Sequence, residues 1–180
     1  MYSAKSTRRV EILRRVMDEL KTPEVFKTLN YRQVGEDKVK TALYPHLIHE
    51  ITKIYETYKG YKEDTAKEKA KKNLLYEGNV QTTVNHVLFL GTFHRPDLVL
   101  KFDHGFNIAI EIKMCERGDD VRNGVGQSMV YMGSEAYDFT LLLMVDITED
   151  KRILNSLNSD KEKLFLEKLW FESNILVDVV

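Results

Sequence analysis

Asp97 and Glu111 have 13 residues between them, and Lys113 lies two positions beyond Glu111. The stretch that carries them, RPDLVLKFDHGFNIAIEIK (residues 95–113), reads as two strands joined by a turn. If Asp103, His104 and Gly105 form a three-residue loop, Gly105 takes the left-handed position such a loop requires. Phe102 then faces Phe106, Leu100 faces Ile108, Leu98 faces Ile110 and Asp97 faces Glu111. Alternation puts Leu98, Leu100, Ile108, Ile110 and Ile112 on one face. Asp97, Val99, Lys101, Ala109, Glu111 and Lys113 share the other. Opposed carboxylates repel by ~0.2–1 kcal/mol on an exposed sheet, and by more when desolvated. Two remedies exist: one acid stays protonated, or a divalent cation that favours oxygen ligands bridges the pair. A cation there, with the Lys113 ammonium alongside, is a set of parts for phosphodiester hydrolysis. The cation acidifies water and neutralises the phosphate; the lysine orients the water or offsets developing charge. The same alternation also fits a solvent-facing strand pair whose acids are balanced by Arg95, Lys101 and Lys113.

The elements that must hold these groups divide the chain in two. The first half reads as helical. Val10, Leu13, Met17 and Leu20 recur at helical spacing behind a cap at Ser6 or Thr7. TPEV at 22–25 starts a helix, with Thr22 as N-cap and Pro23 in the first turn. A longer helix is expected over 37–58, kinked or restarted by Pro45, with a stripe of Leu47, Ile48, Ile51, Ile54, Tyr55 and Tyr58. Residues 59–72 are charged and read as a solvated helix or connector. The second half alternates strand and helix: strands over 84–89, 97–102 and 106–114, a helix over 121–137, a buried strand over 139–147, a helix over 151–171 and a strand over 174–180. That order predicts an α/β fold with a mixed sheet flanked by helices. Residues 1–180 are read as a single domain, with a mainly helical part over 1–80 and the strand-bearing core over 81–180.

Composition narrows the function. The 180 residues are 43% hydrophobic and 31% charged, with a net charge of -1. Affinity for phosphates must therefore come from local basic patches. A single cysteine, Cys115, cannot build a disulfide framework, a zinc site or an iron–sulfur cluster. No apolar run reaches transmembrane length and no signal-peptide core is recognised, so a cytoplasmic protein without a membrane partner is expected.

The pieces Pro96-Asp97 and Glu111-Ile112-Lys113 on paired strands, followed by Gln127 and Tyr131 in QSMVY on the next helix, resemble the PD-(D/E)xK nuclease superfamily and its RecB-like QxxxY branch. The resemblance covers residues 84–147 well and the C-terminal helix and strand more loosely. It implies a restriction-endonuclease-like three-layer core with a helical N-terminal extension, and a Mg²⁺-dependent nuclease, with Mn²⁺ able to substitute. Asp97, Glu111 and the Ile112 carbonyl would be metal ligands, and Lys113 the catalytic lysine. Gln127 and Tyr131 would line the site and hold the lysine or the DNA. Many members add a glutamate from an N-terminal helix. Glu50 is the candidate here, at the edge of the Leu47/Ile51/Ile54 stripe, with Glu36, Glu56 and Glu77 as rivals. No cysteine cluster accompanies the motif, so the iron–sulfur cluster of some branch members is not expected.

Around that core, Arg95, Lys101, Arg117 and Arg122 are candidate nucleic-acid contacts, with Gly118, Gly124 and Gly126 allowing close backbone approach. Asp119 and Asp120 read as helix caps, or as second-metal ligands. His94 and His104 read as surface histidines, with metal ligation as the alternative. Cys115 reads as a buried thiol. Arg8, Arg9, Arg14 and Arg15 make a basic patch that is either solvated or a DNA contact. Trp170 and Phe171 read as core or a dimer face. The partner expected is DNA, with RNA open, and the small size points to a homodimer or a larger complex. The alternatives to a DNA nuclease of endo- or exonucleolytic action are a noncatalytic DNA-binding or assembly subunit of the same fold, and a homodimeric resolvase of branched DNA.

Overall fold

The computed structural model describes residues 6–76, 84–102 and 105–180. The chain groups into two compact units, Met1–Leu75 and Tyr76–Val180. Among the described residues no helix is long and apolar enough to cross a membrane.

The first unit is helical. α1 (Thr7–Leu20) starts at Ser6, whose hydroxyl accepts from the Arg9 N–H. It buries Ile12, Leu13, Val16, Met17 and Leu20, the one-sided stripe that helical spacing predicts. α2 (Pro23–Thr28) has Pro23 in its first turn. Thr22 sits at its N-cap but does not cap it: the hydroxyl donates to Glu24 Oε2 at 2.5 Å. α3 (Glu36–Lys59) is one continuous helix through Pro45 and ends on Gly60 in the left-handed conformation. Pro45 therefore does not restart it. α4 (Glu63–Asn73) occupies the charged stretch. Small side chains make this possible: Ala66 and Ala70, one turn apart, are buried while the charges stay outside.

The second unit is built on strands. After β1 (Leu74–Tyr76) come β2 (Val87–Phe89), β3 (Thr92–His94), β4 (Leu98–Phe102), β5 (Phe106–Cys115), β6 (Phe139–Asp146) and β7 (Ile175–Val179). A five-stranded mixed sheet runs β1-β4-β5-β6-β7, and β2 and β3 form a separate two-stranded hairpin. β4 and β5 are antiparallel, in the register Phe102↔Phe106, Leu100↔Ile108 and Leu98↔Ile110 that the turn predicts. Gly105 is left-handed (φ 73°); Asp103 and His104 lie outside the described residues. β6 lies parallel between β5 and β7 and is buried at every position, as its unbroken apolar run requires.

Several boundaries differ from the sequence reading, each for a local reason. The strand expected over 84–89 is only β2. Leu90 and Gly91 both take positive φ and turn the chain back into β3, a strand the apolar pattern had not separated. α5 (Gly118–Gly133) starts earlier and ends earlier than 121–137. Asp120 reaches back to accept from the N–H groups of Glu116 and Arg117, fixing the start, and left-handed Glu135 follows the last turn. The Asp120 carboxyl is held below the usual range by those backbone bonds. The helix expected over 151–171 is two, α6 (Arg152–Ser156) and α7 (Asp160–Ser173), interrupted at 157–159. Asp146 starts the first: it accepts from the N–H groups of Ile153 and Leu154 and from Thr148. Phe171 is exposed and not core, whereas Trp170 stacks on Phe139 at 5.7 Å.

The α5 side of the sheet carries a cluster of Cys115, Leu142, Met144, Leu169, Ile175, Val177 and Val179. Register places Glu111 beside Leu142 and Lys113 beside Met144, so the charged end of β5 continues this apolar layer. α5 lies close on the sheet because Gly124 is there: a Cβ at that position would stand 3.2 Å from Leu142 Cδ1. Ser128, one turn on, is buried and donates to the Gly124 carbonyl.

Candidate active site

Asp97 is one step before β4, opposite the end of the ladder that pairs Leu98 with Ile110. It is 5% exposed and Glu111 is 2% exposed. The pair is therefore not on a solvent-facing sheet, and its mutual repulsion is paid in a desolvated setting. Asp97 Oδ2 accepts from the Ile112 N–H at 2.7 Å. An extended residue turns its N–H and C=O to the same strand edge. The Ile112 carbonyl thus lies on the Asp97 edge of β5.

Glu111 is held from two sides. Lys113 Nζ lies 3.5 Å from its Oε1, and the lysine side chain is 21% exposed. The Tyr131 hydroxyl lies 3.0 Å from Glu111 Oε2 and 2.9 Å from the Arg95 carbonyl, and can donate to either. Tyr131 is fully buried. Burial, and then the negative charge of Glu111, push its phenol far above the ordinary tyrosine range. Tyr131 is therefore a neutral donor beside Glu111.

Gln127 is one helical turn before Tyr131 on the same face of α5. Its Oε1 is buried and no hydrogen bond from the described residues reaches it. A buried acceptor left unmade costs ~1–3 kcal/mol.

Among the described residues no group of three or more His, Cys, Asp and Glu side chains is gathered for a metal. Two buried carboxylates and a carbonyl edge nonetheless suit Mg²⁺, which is commonly held by one or two carboxylates and keeps several waters. Softer metals would call for nitrogen or sulfur donors. Glu50 belongs to the helical unit, where its Oε1 accepts from Arg15 Nε at 2.6 Å and ties α3 to α1. Among its rivals, Glu36 lies 3.5 Å from Lys40 Nζ, and Glu77 is outside the described residues.

The basic candidates are dispersed. Lys101 is half-buried on β4; Arg117 and Arg122 are exposed at the start of α5, and Arg122 is paired with Asp119. Asp119 and Asp120 thus serve the start of α5. His94 is half-buried in β3, with its ring edge-on to Phe89 at 6.3 Å. Cys115 is buried, its thiol donating to the Lys113 carbonyl. Two contributors escaped the sequence reading. The Arg95 backbone carbonyl shares Tyr131, which no side-chain pattern could reveal. His86 meets the Arg95 guanidinium; the Leu90-Gly91 pair between apolar residues was the available signal for the hairpin that joins them.

The fold and this site define a mixed α/β protein with paired acids and a lysine on one hairpin. No family model matches the chain, and no curated protein does. Among solved structures it is similar to the chain of a restriction endonuclease PspGI–substrate DNA complex, with 14% identity, a TM-score of 0.34, and coverage of 94% of this chain and 75% of that one.

Proposed function

We propose that this protein is a Mg²⁺-dependent nuclease of the PD-(D/E)xK type that hydrolyses phosphodiester bonds of DNA. The observation that carries the reading is the buried Asp97–Glu111 pair with Lys113 3.5 Å from Glu111. Two desolvated acids on adjoining strand positions are costly without a cation to share. Asp97, Glu111 and the Ile112 carbonyl would hold the metal. When bound, Mg²⁺ would acidify water and neutralise the scissile phosphate. The Lys113 ammonium, 3.5 Å from Glu111, would offset the charge that develops on the phosphate. Tyr131 keeps Glu111 in one orientation, and the buried Gln127 carbonyl oxygen would accept from the lysine or from ordered water. Arg95, Lys101, Arg117 and Arg122 would meet the nucleic-acid backbone.

The test is cleavage of a panel of single-stranded, duplex and branched DNA and of RNA with Mg²⁺ or Mn²⁺, run beside Glu111→Gln and Lys113→Ala. Cleavage by the wild type alone is the expected result. Equal cleavage by all three proteins removes the assignment. A wild type that binds DNA but cuts nothing favours the noncatalytic subunit. Calorimetric titration with Mn²⁺ is the independent check: a site that persists in Asp97→Asn contradicts the proposed ligands.

A further inference from the structure

The β2–β3 hairpin turns large apolar groups outward. Leu88 is 63% exposed, Phe93 69% and Leu90 87%. Pairing Leu88↔Phe93 puts those two side chains on one face, and alternation adds His86 and Arg95 to it. The His86 and Phe93 rings are 5.4 Å apart, and the Arg95 guanidinium donates to His86 Nε2. On the opposite face Val87 is buried and Phe89 is exposed; Val87, Leu88 and Phe89 line an apolar groove of about 300 Å³ with Gly126, Met129 and Val130 of α5.

The turn itself is unusual. Leu90 (φ 49°) and Gly91 (φ 75°) are both left-handed. Such turns favour Asn, Asp or Gly, and a leucine there costs ~1–3 kcal/mol. Strain and exposed apolar surface together need a reason. The location supplies one. β3 runs directly into Arg95, Pro96 and Asp97, and the Arg95 carbonyl shares the Tyr131 hydroxyl with Glu111. The outer face of the hairpin is therefore continuous with the acid site through Arg95.

We propose that this face, Phe93 and Leu88 flanked by His86 and Arg95, is a stacking platform for an unpaired base of the strand being cut; the inference rests on the nuclease reading above. A phenyl ring beside an aliphatic side chain offers flat contact to the π-face of any base. Arg95 supplies positive charge for the adjoining phosphate. Aromatic groups set along a basic track are how unpaired strands are bound without sequence preference. A fully paired duplex hides its base faces and cannot use the platform. The substrate class is thus single-stranded nucleic acid, or a duplex with an unpaired end or flap.

The test compares wild type, Phe93→Ala and Phe93→Tyr. Phe93 is largely solvent-exposed, so its loss leaves the core intact. Binding to a single-stranded oligonucleotide carrying 2-aminopurine, and to a matched duplex, is followed in EDTA by anisotropy and fluorescence. Mg²⁺-dependent kcat/KM on both substrates is the second readout, and serves where affinity is too weak to titrate. Wild type should prefer the single strand and quench 2-aminopurine. Phe93→Ala should lose about 5- to 150-fold on the single strand, the equivalent of ~1–3 kcal/mol per stacked base, with the duplex unchanged. Phe93→Tyr should restore the preference. A Phe93→Ala protein with wild-type single-strand preference overturns the platform, as does a wild type that prefers matched duplex. Sedimentation of both proteins covers the rival occupant: if Phe93→Ala dissociates a dimer without changing strand preference, the hairpin is a contact between copies. A wild type that neither binds nor cuts any nucleic acid refutes the nuclease reading itself. A cutting wild type with an indifferent Phe93→Ala refutes only the platform.

Discussion

Tyr131→Phe removes one hydroxyl and keeps the ring, including its edge contact with Tyr137 at 6.2 Å. What disappears is the donor 3.0 Å from Glu111 Oε2 and 2.9 Å from the Arg95 carbonyl. A hydrogen bond to a charged group is worth ~1.5–3 kcal/mol, and here the acceptor left behind is buried. In a chain of this length each kcal/mol moves Tm by ~2–4 °C, so a fall of ~3–12 °C is expected at neutral pH. The pH dependence gives a sharper signature. Burial and the Glu111 charge raise the phenol pKa in the folded state. The unfolded phenol ionises near ~10. The stability tied to a raised pKa is complete below the unfolded value and is lost as pH climbs past it toward the folded value. Phenylalanine has no proton to lose. The deficit of Tyr131→Phe should therefore be full at neutral pH and shrink above about pH 10. Tyr44 and Tyr58 are also raised by burial, but both proteins carry them and they cancel in the difference. Urea unfolding across this range, with m-values compared, is the assay. Equal midpoints at neutral pH would show that the hydroxyl holds nothing. A deficit that stays constant through the alkaline range would show that the phenol is not desolvated.

Lys113→Ala should lower cleavage by ~10²–10³-fold, the usual loss for one group stabilising developing charge. Mn²⁺ affinity should change little, and a large drop in calorimetric affinity would make the lysine structural instead. Asp146→Asn should cost ~1.5–3 kcal/mol at neutral pH by weakening charge-assisted bonds. Burial works to raise the Asp146 pKa, but the Thr148 hydroxyl and the N–H groups of Leu154 and Thr148 hold it below the ordinary value. That stability is present above about pH 4 and is lost as pH falls, so the variant should show a flatter acid limb in thermal melts. Gly124→Val crowds Leu142, already within 3.2 Å of a Cβ there. It should destabilise by ~1–3 kcal/mol in urea titrations, and lost cleavage should accompany it because α5 carries Gln127 and Tyr131.

The legible part of the fold was what local pattern controls. The β4–β5 register followed from one glycine turn and alternation, and β6 from its unbroken apolar run. The α1 stripe needed only helical spacing. Elsewhere, polar side chains acting on the backbone overrode the pattern. Asp120 moved the start of α5, and Asp146 fixed that of α6 from across a loop. Thr22 turned to Glu24 when its position called for a cap. Pro45 was absorbed into an unbroken α3, which single-residue rules oppose. In the site, residue types at fixed spacing suggested which groups meet. They could not reveal the depth of burial of Asp97 and Glu111, the double use of Tyr131, or the Arg95 carbonyl, because each depends on how α5 packs on the sheet.

β7 touches none of the candidate chemistry, yet it lies along β6 for its whole length. A chain shortened before Ile175 would keep Asp97, Glu111, Lys113, Gln127 and Tyr131. It would also leave β6, apolar on both faces, as a bare sheet edge of the kind that pairs with other chains. In β7, Asp178 alternates with apolar residues and its carboxylate takes the N–H of Val179. The last strand is thus the guard of the sheet against self-association, and losing it should bring aggregation before it brings loss of the site.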